Sequence, residues 1–168
     1  MRKIIFILLT LTLALTTACN KEEEGLVRIA LLGTGTAVIN WGDGTANAMV
    51  TLTDLITRLR HTYIGSTVRT ITITGDNVTQ LFCGYDPETM AVFDNQLTVL
   101  DVSKNPALTL LRIISNLFED EKDEKGLNPL FRTLHGNGEG KIIRINDNPG
   151  AAACDPSIAE VKGWVVYR

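Results

Sequence analysis

The side chains able to do nucleophilic chemistry in this chain are few and far apart. Cys83 with His61 or His135 could supply a thiolate and its base, and Asp43 could serve as an acid or a metal ligand. Nothing in the spacing activates the thiol, and the chain has no GxSxG, HExxH, P-loop or strand-linked GxGxxG motif. The paired carboxylates of a glycosidase come together only in space, so that alternative stays open. We predict no catalytic residue, no bound metal and no cofactor.

The start of the chain has the composition of an export signal. Arg2 and Lys3 precede an apolar run that is too short to be a stable membrane span. The segment Leu15–Cys19, LTTAC, resembles the lipobox of bacterial lipoproteins, in which the signal peptidase cuts before the cysteine and its thiol receives a diacylglycerol group. The resemblance implies a signal peptide at residues 1–18 and a lipid anchor on Cys19. An ordinary secretory signal with a nearby cysteine is the alternative.

The lipidated cysteine and an acidic tether would occupy residues 19–25. Lys21 and the run Glu22–Glu24 resemble the surface-export signal of Bacteroidetes lipoproteins, which implies display on the outer membrane, facing the cell exterior. A solvated linker without an export role has the same composition. The formal net charge of the whole chain is −3, and no basic stripe follows the leader, so we expect no nucleic-acid partner.

Residues 26–75 alternate apolar and Thr positions, which favours strands joined by tight turns. The sequence INWGDGT at residues 39–45, with HTY at residues 61–63, resembles the WGDG…HTY signature of PKD-like modules. We expect Asp43 to be a turn residue bonded to its own backbone, and His61 to be a packed or half-exposed strand residue. The segment is shorter than a complete sandwich of that type, and we predict that it caps a neighbouring sheet.

A pattern of the form L-x-x-L-x-L-x-x-N occurs twice within residues 97–117. Its apolar positions and asparagines are Leu97, Leu100, Val102 and Asn105, then Leu108, Leu111, Ile113 and Asn116. The pattern resembles the leucine-rich repeat, which implies a parallel sheet whose apolar positions stack into one core. Each asparagine should bond backbone groups that would otherwise be buried without partners. A degenerate third copy ends at Ile143, Ile145 and Asn148.

Short helices and a last strand are predicted around the repeats. The pairs Asp86-Pro87, Asn128-Pro129 and Asp155-Pro156 place a helix-capping residue before a proline. Thr53-Asp54 could begin another helix that carries Leu59. The segment NPGAAACDPSIAEVKGW resembles the closing segment of leucine-rich-repeat lipoproteins of gut Bacteroidetes, and a strand at residues 164–167 would follow it.

The predicted fold is mainly β with short helices. A short leucine-rich-repeat solenoid at residues 76–168 is capped by the N-terminal PKD-like β segment, 26–75, and by a C-terminal helix-strand cap. Cys83 and Cys154 would lie near the first and last coils and have no Cys-x-x-Cys spacing. Because distant coils of a solenoid do not touch, we predict two buried free thiols, with a disulfide as the alternative.

A solenoid of this kind presents exposed strand positions to a ligand. We predict that contacts to a ligand fall on Thr98, Asp101, Ser103, Thr109, Arg112, Ile114 and Arg144. The leading hypothesis is a lipid-anchored cell-surface protein that acts as a non-catalytic interaction or adhesion scaffold for another protein. One alternative is a glycan-binding component of a surface carbohydrate-uptake system, which would need exposed aromatic rings although Trp41 and Trp164 look structural. The other alternative is a hydrolase.

Overall fold

A computed structural model describes residues 25–64, 70–120 and 126–168. The described chain is mainly β, with two sheets and short helices. The strands are β1 (Leu26–Gly33), β2 (Gly35–Asn40), β3 (Ala48–Leu52), β4 (Thr57–Thr62), β5 (Ile71–Thr74), β6 (Val78–Cys83), β7 (Leu100–Asp101), β8 (Leu110–Ile113), β9 (Lys141–Arg144) and β10 (Trp164–Tyr167). The helices are α1 (Leu127–Thr133) and α2 (Ser157–Glu160), with a 3-10 turn at Pro149–Ala151. The predicted leader, Cys19 and most of the acidic tether lie outside the described residues.

The two sheets differ in size, and each combines antiparallel and parallel strand pairs. The larger sheet has the order β10-β9-β8-β6-β1-β4, and the smaller sheet has the order β3-β2-β5-β7. In the larger sheet β1 is antiparallel to β4 and β6, whereas β6, β8, β9 and β10 are parallel to one another. Both sheets contain strands from either side of residue 75, where the predicted β segment ends. The parallel part of the larger sheet is therefore joined directly to the N-terminal hairpins.

One hydrophobic core lies between the sheets. In β8, Leu111 and Ile113 are fully buried, while Leu110 and Arg112 face outward and are half-exposed. The inward residues of the smaller sheet, such as Ile39 and Ile73, belong to the same buried cluster as Leu111. Since the inner faces of both sheets share this core, their outer faces point away from each other.

The two copies of the eleven-residue pattern lie in different sheets. Every apolar position and asparagine of both copies is buried, as the pattern predicts. However, β7 of the first copy pairs with β5 in the smaller sheet, and β8 of the second copy pairs with β6 and β9 in the larger one. The expectation that the copies stack as neighbouring strands is wrong, because the chain crosses from one layer to the other between them.

Asn116 and Asn148 satisfy buried backbone groups, as predicted, whereas Asn105 does so only in part. Asn105 Nδ2 donates to the carbonyl oxygen of Gly75 (3.4 Å), but its Oδ1 is buried without a partner among the described residues. Asn116 Nδ2 donates to the carbonyl oxygen of Cys83 (3.2 Å), and its Oδ1 accepts from the backbone N–H of Leu97 (3.3 Å). Asn148 repeats this arrangement one strand further on. It donates to the carbonyl oxygen of Ile113, on the strand before its own, and accepts from the backbone N–H of Phe118.

Two predicted helices are replaced by other structure. Leu59 lies in strand β4, and Thr53 instead closes a turn by accepting a hydrogen bond from the backbone N–H of Leu55 (3.2 Å). Asp86 Oδ1 accepts hydrogen bonds from the backbone N–H groups of Glu88 and Thr89, but no helix follows. The side chain of a capping residue can accept backbone hydrogen bonds in a turn as well as at the start of a helix. The residue type alone therefore does not distinguish a turn from a helix.

The C-terminal elements agree with the sequence prediction. Helix α1 spans Asn128-Pro129, helix α2 follows Asp155-Pro156, and β10 forms the last strand. Lys162 Nζ donates to the carbonyl oxygens of Arg132 (2.7 Å) and Leu134 (2.8 Å) and so ties the segment after α2 to the end of α1. Within the described residues, no helix has the length and apolar character needed to cross a membrane.

Candidate functional site

The outer face of the larger sheet carries two pairs of arginines in direct register. Arg28 on β1 is paired with Arg60 on β4 at one end of the sheet, and the second pair lies on the parallel strands at the other end. Arg112 on β8 is paired with Arg144 on β9, and Arg144 is paired in turn with Tyr167 on the edge strand β10. On the other side, Arg112 is paired with Phe82 of β6. The alternation of each strand aims the side chains of this second pair and its two aromatic partners outward, since their neighbours in sequence fill the core.

Each of the two arginines lies against a tyrosine ring. The guanidinium carbon of Arg112 is 4.7 Å from the ring centroid of Tyr85, and that of Arg144 is 4.6 Å from the ring centroid of Tyr167. A guanidinium group at this distance over a ring is attracted to the face of the ring. We call this set of four residues, Tyr85, Arg112, Arg144 and Tyr167, the arginine row. Its geometry holds two cationic groups in fixed positions side by side.

The arginine row has no carboxylate to neutralise it. Neither Arg112 nor Arg144 forms an ion pair or a side-chain hydrogen bond with any residue in the described ranges. Arg58 on the same sheet, by contrast, is neutralised by two ion pairs. Its Nε lies 2.7 Å from an oxygen of Asp86, and its Nη2 lies 2.6 Å from an oxygen of Glu88. Like charges directly opposite each other on neighbouring strands destabilise a sheet. The unneutralised pair therefore marks this face as one that suits an anionic ligand.

A second row of outward side chains runs beside the arginine row. Two residues earlier along each strand, the cross-strand neighbours are Leu32, Gln80, Leu110, Ile142 and Val165. Four of the five are apolar, and Val165 is 50% exposed. We call this set the apolar row, and the two rows together the amphipathic face. The face offers hydrogen-bond donors along one line and apolar contacts along the next.

The residues predicted to contact a ligand divide between the two sheets. Thr109, Arg112, Ile114 and Arg144 lie on or directly beside β8 and β9. Thr98, Asp101 and Ser103 lie on or beside β7, in the other layer. Asp101 Oδ1 accepts a hydrogen bond from the backbone N–H of Ser103 (2.8 Å) and so forms a local turn. The structure brings Arg112 and Arg144 together and separates them from the three residues near β7.

Sequence reasoning missed the aromatic partners of the arginines. Tyr85 lies in the loop after β6, where the backbone of Tyr85 forms an isolated bridge with that of Val92. Tyr167 was predicted only as part of the last strand. The signal available in the sequence was the alternation of β10, which places Val165 and Tyr167 on the same face.

Asp43 and His61 form a close pair at the other end of the molecule. His61 Nε2 lies 2.6 Å from Asp43 Oδ2, and the imidazole ring stacks on Trp41 with a centroid distance of 4.6 Å. Asp43 also accepts hydrogen bonds from the side chain and backbone of Thr45, and these bonds together with that from His61 lower its pKa. Tyr63 donates from its hydroxyl to the carbonyl oxygen of Trp41 (2.7 Å).

These contacts confirm the structural roles expected for the two residues. Asp43 is a turn residue, and His61 is a half-buried strand residue that fastens the turn to β4. In the part of the chain that the structure describes, no cysteine or serine bonds to His61. Among the residues that the structure describes, the pair has no nucleophile of the kind that a catalytic triad requires.

Neither described cysteine has the surroundings of an activated thiol. Cys83 and Cys154 are both free and buried, as predicted. Burial raises the pKa of the Cys83 thiol to about 12 and also raises the pKa of Cys154. His135 Nε2 bonds the carbonyl oxygen of Leu108 (2.8 Å), so the Cys83–His135 pair considered from the sequence does not form.

The described residues contain no group of three or more His, Cys, Asp or Glu side chains placed to hold a metal ion. Lys141 is a buried cation on the inner face of β9, and its Nζ donates to the carbonyl oxygens of Asn137 (2.7 Å) and Gly138 (2.6 Å). These bonds satisfy the ammonium group within the fold. The arginines of the amphipathic face differ from Lys141, because no hydrogen bond within the described residues satisfies them, and Arg112 Nε is buried without a partner.

Comparison of the chain with protein-family models, with curated proteins and with solved structures finds no match in any of the three.

Proposed function

We propose that this chain is a lipid-anchored surface protein that binds another protein, without catalysis, through the amphipathic face. The observation that supports this most directly is the register of Arg112 and Arg144. Two cations are held on neighbouring strands, over the rings of Tyr85 and Tyr167, with no carboxylate partner among the described residues. A protein tolerates such a repulsive pair most readily where a ligand neutralises it.

We propose further that the parallel part of the larger sheet is a short leucine-rich-repeat solenoid. Leu81, Leu111 and Ile143 are in register on successive parallel strands, roughly thirty residues apart, against about 20–29 residues in most leucine-rich repeats. Asn116 and Asn148 make matching hydrogen bonds to the preceding strand, which supports a coil that repeats in three dimensions. The β1–β4 hairpin and the α2–β10 segment would then be its two caps.

The membrane attachment rests on the leader. The LTTAC segment supports lipidation of Cys19, and the acidic residues that follow support a tether that holds the folded part away from the outer membrane, facing the exterior. Growth in labelled palmitate, followed by cell fractionation, measures this directly. We expect label in the membrane fraction for the natural chain and none for Cys19→Ser. Equal labelling of both would reject the anchor.

A soluble chain of residues 20–168 tests binding. It would be applied to arrays of extracellular proteins and of glycans, next to the double variant Arg112→Gln/Arg144→Gln and the control Lys104→Gln. Lys104 is exposed beside β7, so the control removes a positive charge far from the amphipathic face. We expect binding to at least one protein that the double variant loses and the control keeps.

Protein binding that survives in the double variant would show that the amphipathic face is not the site. Binding to glycans alone would instead favour the carbohydrate-uptake alternative. That alternative has less support, because Trp41 and Trp164 are 4% and 1% exposed and cannot offer their rings to a sugar.

A further inference from the structure

We infer that the partner presents an amphipathic acidic helix, which lies across the strands of the larger sheet with its carboxylates on the arginine row and its apolar side chains on the apolar row. This inference rests on the proposed function, since it names the kind of protein segment that the amphipathic face would take. Three properties of the amphipathic face support the inference. They are its charge, the spacing of its strands and the parallel course of its two rows.

The charge of the face selects an anionic group with paired oxygens. A guanidinium that lies over a ring keeps its N–H groups in the plane of the guanidinium, where they can meet the two oxygens of a carboxylate. Arg112 and Arg144 both lie over tyrosine rings, and neither bonds any described side chain. The face can thus bind two carboxylates, one on each strand.

The distance between strands selects a helix over an extended peptide. The backbones of Arg112 and Arg144, like those of any neighbouring strands, are about 4.7–4.9 Å apart, so both rows advance by this distance from strand to strand. Residues i and i+3 of a helix are separated by about 4.5 Å along its axis, and residues i and i+4 by about 6 Å. Residues i and i+2 of an extended chain, which share a face, are about 6.7 Å apart. Only the helix matches one acidic residue to each strand.

The apolar row selects a segment with two chemically different stripes. It runs parallel to the arginine row, about 6.7 Å away, because it is displaced by two residues along each strand. From Leu32 to Val165 it crosses five strands, about 19 Å, which is the length of about 13 helical residues. A helix with an apolar stripe beside an acidic stripe complements both rows at once.

Neutral ligands fit the face less well. Sugar hydroxyl groups need hydrogen-bond acceptors as well as donors, and the outward side chains of the two rows offer only Gln80 and the two tyrosine hydroxyls as side-chain acceptors. An extended strand would pair with the edge of β10, and it would then run alongside that strand instead of crossing the two rows.

A synthetic helical peptide of about fourteen residues tests the inference. Its leucines would repeat at i, i+3 and i+4, with glutamates along the adjacent stripe. The first control peptide has the same composition in an order that removes the stripes, and the second has glutamine in place of each glutamate. Titration calorimetry would measure the affinity of each peptide for four versions of the chain of residues 20–168. These are the natural sequence, the variants Arg144→Gln and Val165→Asp, and the control variant Lys104→Gln.

We expect the striped acidic peptide to bind the natural chain and Lys104→Gln equally. Arg144→Gln and Val165→Asp should each weaken binding about tenfold, because one loses a charge-assisted contact and the other places a carboxylate opposite the leucine stripe. Both positions are at least partly exposed, and an unchanged melting curve confirms that each variant is folded. Binding should also weaken as salt is raised through the physiological range.

Equal binding of the striped and shuffled peptides would overturn the inference, as would equal binding to the natural chain and Arg144→Gln. If the peptides fail but an array protein still binds the natural chain and not the double variant, the partner is not an acidic helix while the proposed function stands. If the double variant keeps every array ligand, both proposals fail.

Discussion

At the scale of single residues, the Asp43–His61 pair has a pH dependence that can be worked out from its contacts. Hydrogen bonds from Thr45 and His61 lower the pKa of Asp43 in the folded chain below that of a free carboxyl, about 3.9. A carboxyl whose pKa is lowered by folding stabilises the protein fully above its unfolded pKa. That stabilisation is lost as the pH falls through the unfolded value towards the folded one.

We therefore predict that Asp43→Asn lowers the melting temperature at pH 7 and that the gap from the natural chain closes towards pH 2. Thermal unfolding of both proteins, followed by circular dichroism between pH 2 and pH 7, measures the gap. Asp54→Asn is the matched control, since Asp54 is exposed and has no hydrogen bond within the described residues. A gap of the same size at every pH would contradict the contribution assigned to the ionised carboxylate.

At the scale of elements, Asn148 joins the turn after β9 to strand β8. Its buried amide donates to the carbonyl oxygens of Ile113 and Ile145 and accepts from the backbone N–H of Phe118. It also donates to the carbonyl oxygen of Asn146 (3.3 Å). Removing the buried amide therefore leaves four backbone groups with one partner fewer.

We predict that Asn148→Ala lowers the free energy of unfolding by about 3 kcal/mol, measured by urea denaturation. Asn146→Ala is the control, because Asn146 is half-buried and its side chain bonds no described residue. The control should stay within about 0.5 kcal/mol of the natural chain. A loss for Asn148→Ala as small as that of the control would mean that other groups or water replace the amide.

Local sequence patterns predicted where several strands lie, but they did not predict how the strands pair. Alternation within residues 26–75 predicted strands where β1, β2, β3 and β5 lie, and the Asn spacing predicted hydrogen bonds that the structure contains. The partner of each strand is a long-range property, so the pattern could not tell that β7 and β8 lie in different sheets. Likewise Arg112 and Arg144 were predicted as exposed, but Tyr85 reaches Arg112 only because a loop folds back over β6.

At the scale of the whole molecule, one core is shared by segments that the sequence assigns to different units. Strand β6 lies between β1 and β8 in the larger sheet, and β5 pairs with both β2 and β7 in the smaller one. Leu111 is fully buried in this core, on a strand with neighbours on both sides. Because the hydrogen bonding is continuous, the parallel strands and the N-terminal hairpins should unfold together.

We predict that Leu111→Asp abolishes the cooperative thermal transition of the whole chain. An aspartate at this position places a charge in an apolar site without a partner, which costs several kcal/mol, comparable with the total stability of a small domain. Leu110→Asp is the matched control, because the same substitution one residue earlier faces outward on the same strand. The control should keep a single transition and lose no more than about 2 kcal/mol.

Circular dichroism and calorimetry of the two variants then show whether the molecule unfolds as one unit or as two. If Leu111→Asp keeps a normal transition, the repeat strands do not support the fold. If it leaves a smaller transition that belongs to the β1–β4 hairpins, residues 26–75 fold as an independent unit and the sheets are joined only loosely. Loss of the whole transition, with that of Leu110→Asp intact, is the result expected of two sheets that share one core.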